Sequence, residues 1–207
     1  MADGASGGLA ETVQGPGAVI LARHGRPALS RAIRLSADEY REWWADYETG
    51  GLAEGQTPPD SLARAAERAG FIVASSRLRS VETARFLAGA RAFAEDALFV
   101  EAPLPPPHWP SWLKLSPRLW GGISRFWWWV FDHHDSQETR RQAQARADEA
   151  AGQLIDLAAG GQDVLLVAHG FFNAMVGLAL RRKGWRCVED GGFGYWAARR
   201  FEYRPGT

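Results

Sequence analysis

Two short stretches of this chain end in the same way, and together they constrain what the rest can build. Ala18–Pro27 reads Ala-Val-Ile-Leu-Ala-Arg-His-Gly-Arg-Pro. An apolar run too short for an ordinary helix delivers Arg23, His24 and Gly25 to its end, and Pro27 follows almost at once, which predicts a buried strand entering a tight turn. Far along the chain, Asp163-Val-Leu-Leu-Val-Ala-His169-Gly170 repeats the pattern. If the two strands are neighbours in a parallel sheet, both histidines emerge at its carboxyl edge, where open α/β sheets hold their ligands. Taken singly, each His-Gly is ordinary strand-end and turn chemistry.

A third segment changes that balance. The apolar stretch Phe71–Ala74 runs into Ser75-Ser76-Arg77-Leu78-Arg79-Ser80-Val81-Glu82-Thr83-Ala84, a second strand exit that becomes helical and carries Arg79. With these residues in order, the chain resembles the histidine phosphatase superfamily, the phosphoglycerate mutase-like family. That family has Arg-His-Gly after its first strand, a Ser-x-x-Leu-Arg-Ala-type segment whose arginine binds phosphate, and a late strand ending in His-Gly. The resemblance runs from about Val19 to Tyr203.

Composition narrows the class. With 207 residues, 46% of them apolar, the chain can bury one sizeable core, and no linker divides it, so residues 18–207 are expected to form one domain. Lys plus Arg and Asp plus Glu balance at 24 each, so there is no bulk attraction to nucleic acid or anionic lipid. The single cysteine, Cys187, excludes an internal disulfide and a cysteine-based zinc site, and suits a cytoplasmic setting. Residues 1–17, rich in Gly and Ala, lack a basic start and apolar run, and are expected to be a disordered tail. No run of 18 apolar residues exists to span a membrane.

Between these marks, helices and strands alternate, which predicts an α/β fold: a three-layer α/β/α sandwich with a mostly parallel central sheet. Ser36 and Glu39 have capping-box spacing, and Leu35 and Tyr40 have staple spacing, for a helix running to about Tyr47. Further helices are predicted over 60–69, 80–91 and 171–183, with strands over 71–74, 98–101 and 164–168 and a last one within 194–203. A long polar helix is expected to start at Asp135 or Ser136 and to stop at Gly160-Gly161. Residues 105–131 hold six of the ten tryptophans and no acidic residue. The insertion, about 103–135, is expected to form a Trp-rich helical lid over the carboxyl edge, either packed or partly exposed as a wall for an apolar substrate or as a membrane-surface contact.

The resemblance also implies chemistry. His24 is the implied nucleophile, phosphorylated and then hydrolysed. Arg23 and Arg79 offer planar forks for phosphate oxygens, and His169 adds a donor when protonated. Glu101, after the expected third strand, is the candidate general acid, with Glu82, Asp132 and Asp135 as competitors. Arg26 either adds charge to the pocket or is a plain surface arginine. Where many relatives continue Glu-Thr-x-x-Asn, this chain has Arg26-Pro27-Ala28-Leu29-Ser30, which weakens a mutase reading. Asp132-His133-His134-Asp135 has metal-ligand residue types but reads better as a capped helix start. No metal and no cofactor is implied, and the expected partner is a small phosphorylated substrate or a phosphoprotein. A phosphatase therefore leads, against a phosphate-binding scaffold of the same fold or a mutase-type phosphotransferase.

Overall fold

A computed structural model describes residues 15–204 of the chain. The elements follow in the order β1 (Val19–Arg23), α1 (Ala37–Thr49), α2 (Asp60–Arg68), β2 (Phe71–Ser75), α3 (Leu78–Ala88), β3 (Ala94–Asp96), α4 (Pro117–Phe131), α5 (Arg140–Ala158), β4 (Val164–Ala168), α6 (Gly170–Arg182), β5 (Trp185–Asp190) and β6 (Ala198–Tyr203). The described strands form one sheet in the order β3-β2-β4-β1-β6-β5, parallel except that β6 runs antiparallel to both of its neighbours.

The apolar runs are continuous because both faces of the central strands are covered. Val19, Leu21, Val164 and Leu166 meet α5 and α6, with Leu154, Phe172 and Val176 in that core. Ile20, Ala22, Leu165 and Val167 point the other way, onto α2 and α3 through Leu62, Ala66, Ala84 and Leu87. This is the expected three-layer sandwich. A satellite cluster of Tyr40, Trp43, Tyr47 and Trp120 joins α1 to α4, so the lid consists of both helices.

Local signals explain most element ends. The Ser36–Glu39 capping box is present, and Leu35 packs on the cluster that holds Tyr40. Three placements differ most from expectation. Residues 98–101 are not a strand: the edge strand is Ala94–Asp96, and the Asp96 side chain caps a 3-10 turn over Ala97–Phe99. Arg146 Nη1 then takes the Leu98 and Val100 carbonyls, each at 2.8 Å, so those carbonyls bond a side chain and not a ladder. The long polar helix starts at Arg140, because Asp135 and Ser136 have positive φ and the Thr139–Gln142 capping box sets the start. Finally, Trp185–Asp190 is a strand with no counterpart among the expected elements, paired with the last strand, which itself begins only at Ala198.

Of the stretch expected to be a disordered tail, residues 1–14 lie outside the described residues. Gly17 is buried and donates to the Ala158 carbonyl at 2.9 Å. Among the described residues, no helix is long and apolar enough to cross a membrane.

Candidate active site

The register of β1 against β4 pairs Arg23 with Ala168, and the His24 amide continues the ladder by donating to the Ala168 carbonyl at 3.0 Å. Adjacent parallel strands therefore end together and present both histidines, whose ring centroids lie 5.2 Å apart. Both are buried, at 1% exposure.

The orientation of His24 is fixed by its own backbone. Nδ1 lies 2.7 Å from the Gly25 carbonyl, an acceptor only, so Nδ1 carries the proton and Nε2 keeps its lone pair. Nε2 receives Arg79 Nε at 3.2 Å. The turn that shapes this is held by Thr83, whose hydroxyl accepts the Gly25 amide at 3.0 Å and donates to the Arg79 carbonyl at 2.7 Å. Gly25 is required by close approach: a Cβ there would lie 2.5 Å from the Trp196 ring.

Arg79, 1% exposed, connects the parts. Besides His24, it reaches His169 Nδ1 with Nη2 at 3.3 Å and the Glu48 carboxylate at 2.7 Å. Its Nη1 donates to the Tyr47 and Glu48 carbonyls at 2.8 and 3.2 Å. Since Arg79 can only donate, His169 Nδ1 accepts, and His169 Nε2 donates to Ser75 Oγ at 2.9 Å. Burial is the main cause that holds the His24 imidazole well below the usual histidine range; the charges of Arg79, Arg23 and Arg31 push the same way, and the Gly25 carbonyl opposes. His169 is also held well down, by burial first, then by His24, Arg79, Arg77 and Arg23.

Arg23 completes the group. Its Nη1 donates to the Phe193 carbonyl at 2.7 Å, its guanidinium stacks 4.3 Å over the Tyr195 ring, and its buried Nε has no partner. The glycine-rich turn before the last strand is therefore part of the site. Arg23, His24, Arg79 and His169 thus come together as the sequence suggested.

The other expected residues make their hydrogen bonds outside this cluster of four. Glu101 is buried at the start of α6, where Oε1 accepts the Phe172 amide at 2.7 Å and its own neighbour's, Ala102, at 3.2 Å, and Oε2 accepts Phe171 at 3.3 Å. It acts as a cap for that helix. Glu82 holds a loop by accepting the Leu52 amide at 2.6 Å. Asp132 accepts the Arg140 amide at 2.9 Å, and Asp135 pairs with Arg41 at 3.6 Å. His133 meets the Pro106 carbonyl at 3.1 Å, so the Asp132–Asp135 run does not converge as a ligand set. Arg26 is exposed and lines a shallow groove with Arg31 and Arg118.

Several site residues carry no sequence signal that would single them out. Glu48 bridges Arg79 and Arg77, the latter at 2.9 Å. Arg31 donates to the Tyr47 hydroxyl at 2.7 Å and faces the Tyr195 ring. A pocket of about 640 Å³ opens from Arg23 toward the lid, bounded by α1, α4, α6 and the 193–195 turn.

A family model described as histidine phosphatase superfamily (branch 1) matches residues 19–204. Among solved structures, the chain is similar to a mycobacterial glucosyl-3-phosphoglycerate phosphatase, at TM-score 0.52 and 21% identity over 80% of this chain and 79% of that one. A structure called mycobacterial hydrolase 1 superposes at TM-score 0.58 with 19% identity over 92% of each chain. A variant phosphoserine phosphatase from Entamoeba histolytica, in complex with phosphoserine, gives 0.51 and 18% over 90% and 91%. These likenesses concern the fold. No curated protein matches the sequence.

Proposed function

Because the chain belongs to the histidine phosphatase superfamily, we propose that it is a phosphatase that hydrolyses a phosphate ester through a phosphohistidine on His24, without a metal ion. The observation that carries this reading is the 2.7 Å contact from His24 Nδ1 to the Gly25 carbonyl. It leaves a neutral ring with its Nε2 lone pair facing the cluster of Arg79, Arg23 and His169, which is what a nitrogen nucleophile for phosphorus needs.

In the first step Arg79 Nε turns from His24 Nε2 to a phosphoryl oxygen, the freed lone pair attacks phosphorus, the P–N bond forms and the P–O bond to the leaving group breaks. Arg23 and Arg79 spread the negative charge of the phosphoryl oxygens, and the bound phosphate favours a protonated His169 as a further donor. In the second step water attacks phosphorus from the open side, the P–N bond breaks, and inorganic phosphate leaves with His24 neutral again. Glu48 must yield the Arg79 fork to phosphate, since its carboxylate accepts from Arg79 Nη2 at 2.7 Å. We do not assign the leaving-group proton to Glu101, whose two oxygens serve the α6 amides. The preferred leaving group is therefore one that departs with little protonation.

The test is direct. Incubation with an aryl phosphate followed by denaturation in base should leave an acid-labile phosphoryl group on wild type and none on His24→Ala, with turnover unchanged by EDTA. Wild-type turnover by His24→Ala, or activity removed by EDTA and restored by a divalent ion, would overturn the mechanism.

A further inference from the structure

Beside the reacting group, the 640 Å³ pocket is lined by Arg31, Arg118 and Arg125 as well as Arg23, and by no carboxylate. Phosphoryl transfer as proposed uses Arg23 and Arg79, so three further guanidinium groups face space that one phosphate does not fill. Arg31 resembles Arg23 in having a buried Nε without a partner. Such a cluster suits a second, strongly anionic group on the substrate.

The pocket has an apolar neighbour. It borders a groove of about 330 Å³ between α4 and α6, and the two share Arg125, Phe171 and Ala174. The groove has one apolar face from each helix: Phe126, Trp129 and Val130 on α4, at spacings of three and four, and Met175 and Leu178 on α6. Phe126 is 55% and Leu178 47% exposed, so this apolar face is open along its length. Arg125 stands where the two spaces meet, its guanidinium 5.5 Å from the Phe171 ring. Cationic pocket and oily groove adjoin at Arg125 and Phe171, and the pocket begins at Arg23 and Gly170, the chain neighbours of His24 and His169.

We propose that the substrate is a diphosphate ester of a long hydrocarbon chain. This rests on the phosphatase reading and names its substrate class. The terminal phosphoryl group lies at His24, Arg23 and Arg79, the inner phosphate meets Arg31, Arg118 and Arg125, and the chain lies between α4 and α6. His24 Nε2 attacks the terminal phosphorus, and the bond from it to the bridging oxygen breaks. The electron pair leaves with the alkyl monophosphate, and water then frees inorganic phosphate from His24. One water is consumed and one alkyl monophosphate and one phosphate are formed. A phosphate leaving group whose charge is met by three arginines has little need of a carboxylic acid, which agrees with the engagement of Glu101 by the α6 amides.

Using the full chain, release of inorganic phosphate from dodecyl diphosphate, methyl diphosphate and dodecyl monophosphate is compared below the micellar concentration. Binding of non-hydrolysable dodecyl and methyl methylenediphosphonates is measured alongside. We expect kcat/KM for dodecyl diphosphate to exceed each of the others by at least about 100-fold, since each methylene seated in an apolar site is worth up to about fourfold. Leu178→Ser and Val130→Ser, both at exposed positions, should cut the dodecyl-to-methyl ratio in binding by about tenfold. Equal binding of the two analogues, or a dodecyl monophosphate as good as the diphosphate, would overturn the inference even with turnover intact. The inference also fails if Leu178→Ser breaks a dimer or releases the chain from anionic vesicles while the chain-length ratio stays put. Chain-dependent binding with no turnover of any ester would instead sink the phosphatase reading and leave the ligand class standing.

Discussion

Arg79→Ala removes the group on which both halves of the proposed chemistry depend, and the structure sets the size of the loss. The guanidinium touches His24 and His169 at 3.2 and 3.3 Å and is excluded from water, so solvent does not take over its role. Loss of one such preorganised donor costs about 2.7–4 kcal/mol, a fall of roughly 10²–10³ in kcat, with KM changed much less. A second, independent readout follows from charge. After burial, Arg79 is the largest influence that holds His24 neutral, so its removal raises the His24 pKa toward the ordinary imidazole value of about 6.5. The acid limb of kcat/KM reports the free enzyme and should move upward with it. Arg79→Lys keeps a point charge and should return the limb most of the way, but recover kcat only in part, because one ammonium cannot serve His24, His169 and Glu48 together. Steady-state hydrolysis of nitrophenyl phosphate across pH, with a thermal melt of each variant as a folding control, measures all of this. A folded Arg79→Ala with kcat within about threefold of wild type and an unmoved limb would take Arg79 out of the chemistry.

The remaining predictions are narrower. In wild type, activity should persist through the pH range in which free imidazole protonates, because His24 is held down; yet stability should fall there, since the unfolded chain takes up protons below about pH 6.5 that the buried His24 and His169 resist. Chemical melts at pH 7.5 and 5.5 check the second half, and equal stabilities would contradict it. Glu48→Gln removes the anion that competes with phosphate for Arg79 and Arg77, so inhibition by inorganic phosphate should tighten by about tenfold, or ~1.4 kcal/mol; weaker inhibition would make Glu48 a support for the arginines. Glu101→Ala should cost about 1–3 kcal/mol of stability by stranding α6 amides, a Tm drop of about 2–4 °C per kcal/mol, while the ratio of alkyl to aryl phosphate hydrolysis stays constant. A selective loss on alkyl phosphates would restore Glu101 as the acid.

How far the sequence can be read depends on how local the cause is. His24, Arg79 and His169 are legible because each follows an apolar strand, and parallel pairing of strands carries their ends to one edge. Ser36 with Glu39 is legible because a capping box acts within one turn. The expected 98–101 strand fails for a distant reason: Arg146, on another helix, takes the carbonyls that a ladder would use. Trp185–Asp190 gives little sign of itself because its edge position leaves only Trp185 fully buried, so the alternation is faint. Glu48, Arg31 and Tyr195 carry no motif. They belong to the site only because α1 and the 193–195 turn fold over the sheet edge, a juxtaposition of residues more than a hundred positions apart. Glu101 stands at the right place in the chain, but the amides of α6 claim its oxygens, and those amides are invisible to pattern.

The lid is two helices, and they are tied to the chemistry unequally. α1 ends by offering the Tyr47 and Glu48 carbonyls to Arg79, so its last turn is part of the wall that aims the arginine. α4 touches the pocket through Pro117, Arg118, Gly121 and Arg125, rests on the aromatic cluster through Trp120, and sends Trp128 into the main core against Phe171. A graft that replaces the pocket side of α4 and keeps Trp128 exchanges the lining while the reacting atoms keep their places; one that replaces α1 turns Arg79 as well. In laboratory diversification, then, new substrate preferences should be sought by randomising α4, and libraries in the last turn of α1 should return mostly inactive enzymes.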